Sequence, residues 1–166
     1  MNILIPNLGS TSLKYKILDM PAERQIASGR MERVTDYREA IAGIRTADAP
    51  VDAVAFKAVL AGEKYRGTFA IDDTLIAAMK EYLPASPAHN AIYLAAIRAF
   101  REAMPDVPLV AAFEPEFHRT MPEYAARYGV PAAWRTQYGV RRYGFHGASH
   151  QYSSERVPEI LGAGRS

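Results

Sequence analysis

No cysteine occurs among the 166 residues, which excludes disulfide staples and thiolate chemistry. Stability must come from packing, and any nucleophile must be an oxygen or nitrogen group. No apolar run approaches the roughly 18 residues of a membrane-crossing helix, and no basic segment leading into a long apolar stretch opens the chain. The expectation is a cytoplasmic protein with no membrane partner. Low-complexity linkers are missing, as is the GxxxxGK[ST] pattern of a Walker phosphate loop. Excess charge is also scarce, with a net value of +2, but it is unevenly placed. Residues 1–118 hold 13 Lys/Arg against 15 Asp/Glu, and residues 119–166 hold 7 against 3. The basic residues of this last stretch are dispersed. That suits local attraction of a small anion, or a merely solvated surface, better than a nucleic-acid stripe.

What is present is an apolar fraction of 49%, enough for one core in one folded unit. Ile3 and Ile5 begin a short strand, and LKYKILDM at 13–20 alternates Leu13, Tyr15 and Ile17 against Lys14, Lys16 and Leu18, the period of a half-buried strand. Pro21 to Arg24 supplies a turn, and QIASGRMERV returns as a third strand, completing a meander. Helices are expected over Tyr37–Arg45, Ile71–Tyr82 and Ala91–Ala103, and strands over the β-rich run Val51–Val59 and over Val107–Phe113. Strands first, then helix and strand in alternation, predict an α/β fold: a mixed sheet with flanking helices.

Three stretches carry candidate chemistry. In NLGSTSLK, Gly9 lets backbone approach a ligand while Ser10, Thr11 and Ser12 offer hydroxyls and N–H groups, a turn suited to phosphate; a plain hairpin turn is the simpler alternative. In AFKAVLAGEKYRG, Lys57 lies within an apolar strand and needs an anionic partner unless it snorkels to the strand edge. In RRYGFHGASH, His146 lies between glycines and can donate to an oxyanion. A zinc pair with His150 competes, but GAS between the two histidines does not favour a helix and no third ligand is evident. Strand ends are where α/β sheets place ligands, which adds Glu114, Glu116 and His118, or else marks them as solvated loop residues.

Taken together and in order, these stretches resemble the N-terminal half of the acetate kinases, the acetokinase family of carboxylate kinases. NLGSTSLK resembles the family's N-[SA]-G-S-S-S-L-K, PASPAHN its P-L-A-P-L-H-N, and AAFEPEFHRTMP its V-F-D-T-A-F-H-x-T-M-P. YGVRRYGFHGASHQY is nearly identical to Y-G-I-R-R-Y-G-F-H-G-T-S-H-x-Y. The resemblance implies one lobe of the actin-like ATPase and sugar kinase (ribonuclease H-like) fold, with residues 1–118 as the N-terminal lobe and 119–166 as a connection and the start of a second lobe whose remainder is absent. It implies transfer of the γ-phosphoryl group of ATP to a small carboxylate, with Mg2+. The family's roles put Asn7 near the metal and Ser10, Ser12 and Lys14 near the phosphates. They put Val59, Ala88 and Phe145 in the acyl pocket, Lys57 on the substrate, Glu114 at the catalytic carboxylate and His146 at the transition state.

Departures from the family pattern gather at one cluster. Lys57 stands where the family has arginine, keeping the charge but losing the planar fork that grips a carboxylate. Leu60 and Ala61 replace histidine and glycine, Glu114 replaces aspartate with Pro115 behind it, and Ala88 replaces leucine, enlarging the acyl pocket. The expectation is a half enzyme with an altered substrate or reduced activity, inactive alone, which either joins a C-terminal half or self-associates. The alternative is a non-catalytic lobe kept for binding or assembly.

Overall fold

The computed structural model describes residues 1–44 and 50–162. Its chain runs β1 (Asn2–Leu8), β2 (Ser12–Asp19), β3 (Arg24–Glu32), α1 (Tyr37–Ala42), β4 (Ala53–Ala58), β5 (Gly67–Ala70), α2 (Asp73–Glu81), α3 (Pro87–Ala103), β6 (Leu109–Phe113), a 3-10 turn (Glu114–His118), α4 (Glu123–Ala126), α5 (Ala132–Tyr138) and α6 (Gly147–Leu161). The strands form one six-stranded sheet in the order β3-β2-β1-β4-β6-β5. The expected meander is present as β1–β2–β3, antiparallel throughout. β4 and β6 add in parallel, and β5 closes the far edge antiparallel to β6.

The period of two fixes which face is covered. Leu4, Leu13, Ile17, Val54, Phe56 and Ala111 turn to one side, where they are buried. Against them lies α3, whose buried Asn90, Tyr93, Ile97 and Phe100 recur at three and four residues, the stripe of an amphipathic helix. Phe56 meets Phe100 edge to face at 5.4 Å, and each such ring contributes about 2–3 kcal/mol by leaving water. The opposite face carries Asn7, Lys14, Lys16, Lys57 and Ala112, all exposed.

Expected elements shift by one or two residues at several ends, and four differences are larger. The helix expected over Tyr37–Arg45 ends at Ala42, and Arg45 lies outside the described residues. α3 starts at Pro87, four residues before the expected Ala91, because proline suits a first helical position. β5 is an additional strand of four residues, too short to show an apolar alternation. GASH does open a helix, contrary to expectation: α6 begins at Gly147, because a tertiary contact at that glycine overrides its weak propensity. The helix ends, as its C-cap glycine suggests, at Gly162 with φ 63°.

Candidate functional site

Three strand ends converge at the carboxyl edge of the sheet. β4 pairs with β6 so that Lys57 faces Ala112 and Ala58 faces Phe113; the residue after β6 is Glu114, only 4% exposed. The ammonium of Lys57 reaches its Oε1 at 3.2 Å, so the strand lysine has the anionic partner it requires. The pair is asymmetric: the lysine side chain is 46% exposed, whereas Oε1 is buried and accepts no well-aligned hydrogen bond. A buried carboxylate so placed keeps acceptor capacity for another group.

Beside this pair lies a pocket of about 310 Å³ lined by Lys57, Val59, Ala88, Glu114, Phe145 and His146, with His89, Ser86 and the turn before α3 completing its wall. Six residues taken from stretches at 57–59, 88, 114 and 145–146 therefore share one cavity. Ala88 presents only a methyl group on that wall.

Glycines set the His146 segment against the 3-10 turn. A Cβ on Gly147 would come within 1.9 Å of the Glu114 carbonyl oxygen, and one on Gly144 within 2.3 Å of the His118 ring. Backbone can pass so close only without a side chain. Gly144 also has φ 78°, and His146 itself adopts a left-handed φ of 58°. His146 occupies the N-cap position of α6, but its side chain makes no capping bond. Its imidazole is left to the pocket.

The opening turn is built separately. Gly9 N–H donates to the Ser12 carbonyl at 2.8 Å, and a Cβ on Gly9 would meet Ser12 Oγ at 2.6 Å. Tyr37 Oη donates to the Gly9 carbonyl at 3.1 Å, and Val34 N–H to that of Thr11. Burial pushes the Tyr37 hydroxyl above its ordinary range, which keeps it a donor. Asn7 and Lys14 are register partners and line a second groove of about 570 Å³ with Lys16, Ser28 and Arg30. Ser10 and Ser12 are not among that groove's lining residues. The parallel register Ile3↔Ala53 and Leu4↔Val54, continued at the same offset, sets Asn7 beside Lys57 on the open face.

Among the described residues, no group of three or more histidines and acidic residues gathers to hold a metal. Asn7 sits instead among cations, a setting that favours phosphate oxygens over a bare divalent ion. A single amide oxygen in such company does not fit a resident magnesium. The His146–His150 pair likewise gathers no third ligand; His150 turns its ring to His118, with centroids 5.8 Å apart.

Some contributors escaped the sequence reading. Asn90 is fully buried and donates from Nδ2 to the carbonyls of Leu60 at 2.8 Å and Met79 at 3.0 Å, fixing the chain just after β4. Its signal was available: an amide on the apolar stripe of α3 must be satisfied by something. Arg141, expected only as part of a basic segment, pairs with Glu63 at 2.5 Å, tying the RRYG stretch to the loop after β4. The Arg141 guanidinium holds the Glu63 carboxyl below its ordinary range.

An antiparallel meander extended by parallel strands, with helices on one face and a pocket at the strand ends, is an α/β architecture of the kind found in one lobe of the actin-like ATPase fold. Comparison with known proteins narrows the class. The profile of the Acetokinase family matches residues 39–165. Acetate kinase of Clostridioides difficile is 37% identical, the match covering 98% of this chain and 50% of that protein; acetate kinase of Geobacillus kaustophilus is 34% identical over 96% and 48%. The crystal structure of Porphyromonas gingivalis acetate kinase superposes with a TM-score of 0.84 at 31% identity, covering 98% of this chain and 49% of that one. A propionate kinase of Francisella tularensis shares the fold with a TM-score of 0.90 at 24% identity, over 99% and 50%. The chain belongs to the acetokinase family, and it spans about half the length of the relatives it matches.

Proposed function

We propose that the chain is the carboxylate-handling half of a carboxylate kinase that transfers the γ-phosphoryl group of ATP to a small acid, giving an acyl phosphate and ADP, or runs the reverse. One observation carries this reading: Lys57, Val59, Ala88, Glu114, Phe145 and His146 line a single pocket. Residues 1–118 form the lobe, and 119–166 connect it to a second lobe of the length the relatives have.

In this reading the substrate carboxylate approaches Lys57, whose ammonium already faces Glu114 and can bridge two carboxylates. Val59, Ala88 and Phe145 enclose the acyl group. An oxygen of the acid attacks the γ-phosphorus and the bond to the β-γ bridging oxygen breaks, leaving ADP. His146, held beside the pocket, donates a hydrogen bond to the transferring phosphoryl oxygens, where positioned charge matters most. Ser10, Ser12 and Lys14 at the opening turn meet the nucleotide phosphates. Magnesium is supplied with the nucleotide, and no step is assigned to it on these residues.

Incubated alone with ATP and short carboxylates, the chain is expected to give no acyl phosphate in a hydroxamate trap; product from the pure chain would overturn the requirement for a second half. Complemented with such a half, it is expected to turn over, and Lys57→Arg with Glu114→Asp to raise the rate. A second reading, a binding lobe without catalysis, is favoured by the Lys57–Glu114 pair, in which the lysine charge is already engaged. No product from the complemented protein, with or without the two replacements, would select it.

A further inference from the structure

We propose that His118 is the positioning residue for His146: its ring clamps the Gly144-Phe145 backbone so that the chain enters α6 through a left-handed turn with the His146 imidazole at the pocket. The inference rests on the pocket reading above, but its geometry stands independently.

A non-glycine residue in the left-handed region persists only where its surroundings over-determine it. His146 makes no capping bond of its own, so the restraint comes from either side. On the far side, Gly147 packs on the Glu114 carbonyl and His150 N–H donates to the His146 carbonyl at 3.0 Å. On the near side, His118 meets both residues that lead into His146. Its ring lies where a Gly144 side chain would otherwise be, and its Nε2 is 3.2 Å from the Phe145 carbonyl oxygen. Edge-to-face contacts with Phe117 at 5.3 Å and His150 at 5.8 Å hold the ring itself. Because a carbonyl only accepts, Nε2 must carry the proton. His118 thus touches residues on both sides of His146 and ties their segment to the turn that presents Glu114.

The test uses the full chain. Long-range 1H–15N spectra of the imidazoles should report His118 with its proton on Nε2. In His118→Ala, the amide of His150, which bonds the His146 carbonyl, should exchange at least about tenfold faster and the His146 ring should move to the shift of a free histidine, while amides of β1, β4 and β6 keep their protection. His118→Gln, which retains a donor at similar reach, should restore most of both signals. Unchanged exchange and an unchanged His146 signal in His118→Ala overturn the proposal, as does an Nδ1–H tautomer. If His118→Ala also loses core protection, His118→Gln decides: wild-type signals support the clamp, and a loosened α6 entry on an intact core refutes it. None of these readouts involves ATP or a carboxylate, so failure of the kinase reading leaves them unaffected. In a complemented enzyme, His118→Ala should lower kcat about tenfold or more; a change confined to KM would make His118 a support for the pocket wall at Phe145 alone and overturn the assignment.

Discussion

Asn90 gives the most informative perturbation. Its side chain is fully buried and its two N–H groups go to the carbonyls of Leu60 and Met79, while its own Oδ1 has no partner. Asn90→Ala strands two buried acceptors, each costing about 1–3 kcal/mol, and removes one unsatisfied oxygen, which gives part of that back. The net expectation is a loss of about 2–4 kcal/mol. At roughly 2–4 °C per kcal/mol for a chain of this size, the melting temperature should fall by roughly 5–15 °C. Asn90→Asp separates the causes, because it keeps the volume but turns an acceptor toward two carbonyls. If hydrogen bonding governs the site, Asp costs more than Ala at neutral pH. Thermal melts of the three proteins decide it, and an Asp variant milder than the Ala variant would refute the reasoning.

Three further outcomes are expected. Gly147→Ala should cost about 1–3 kcal/mol by overpacking and expose α6 to limited proteolysis, because the new methyl group meets backbone at Glu114; Gly9→Ala should stay within about 1 kcal/mol, since Ser12 Oγ can rotate aside. Acid should loosen the segment ahead of His146: the Glu63 carboxyl titrates below its ordinary 4.5 because of Arg141, so its tie is intact above that pH and is lost as pH falls through the lower folded value. The single tryptophan, Trp134, reports on this by fluorescence, and Glu63→Gln should abolish the step. High pH works through Tyr143, whose hydroxyl burial pushes to about 12 and which donates to the Gly139 carbonyl. That contribution is complete below pH 10 and disappears as pH rises through about 12, and Tyr143→Phe should remove this alkaline step from the melting profile.

How far the sequence could be read depended on the range of the forces involved. The meander and α3 were legible because alternation in LKYKILDM and the stripe through Tyr93, Ile97 and Phe100 express local burial. β5 was not, since four residues carry no pattern and its place is set by pairing with β6. The start of α6 was misjudged because Gly147 is chosen for its contact with the Glu114 carbonyl, which no local propensity records. For the site, the motifs supplied Lys57, Glu114 and His146, but not the Lys57–Glu114 pairing, which follows from the β4–β6 register. Asn90 and His118 looked like parts of motifs; their partners lie 30 and 27 residues away, beyond any window of composition.

The same spread in sequence has a consequence for how the chain comes into being. The β1–β2–β3 meander closes through two short turns, so its pairings cost little loop entropy and can form while only the first 32 residues are available. β1 cannot acquire β4 until the chain has grown past Ala53, fifty residues beyond its partner Ile3, and the cavity needs residues as distant as Lys57 and His146. On a translating ribosome the opening turn is therefore ready first and the pocket of Lys57 and His146 last. The pocket thus reports that synthesis has passed residue 146: a chain halted earlier presents a finished meander and an unfinished site.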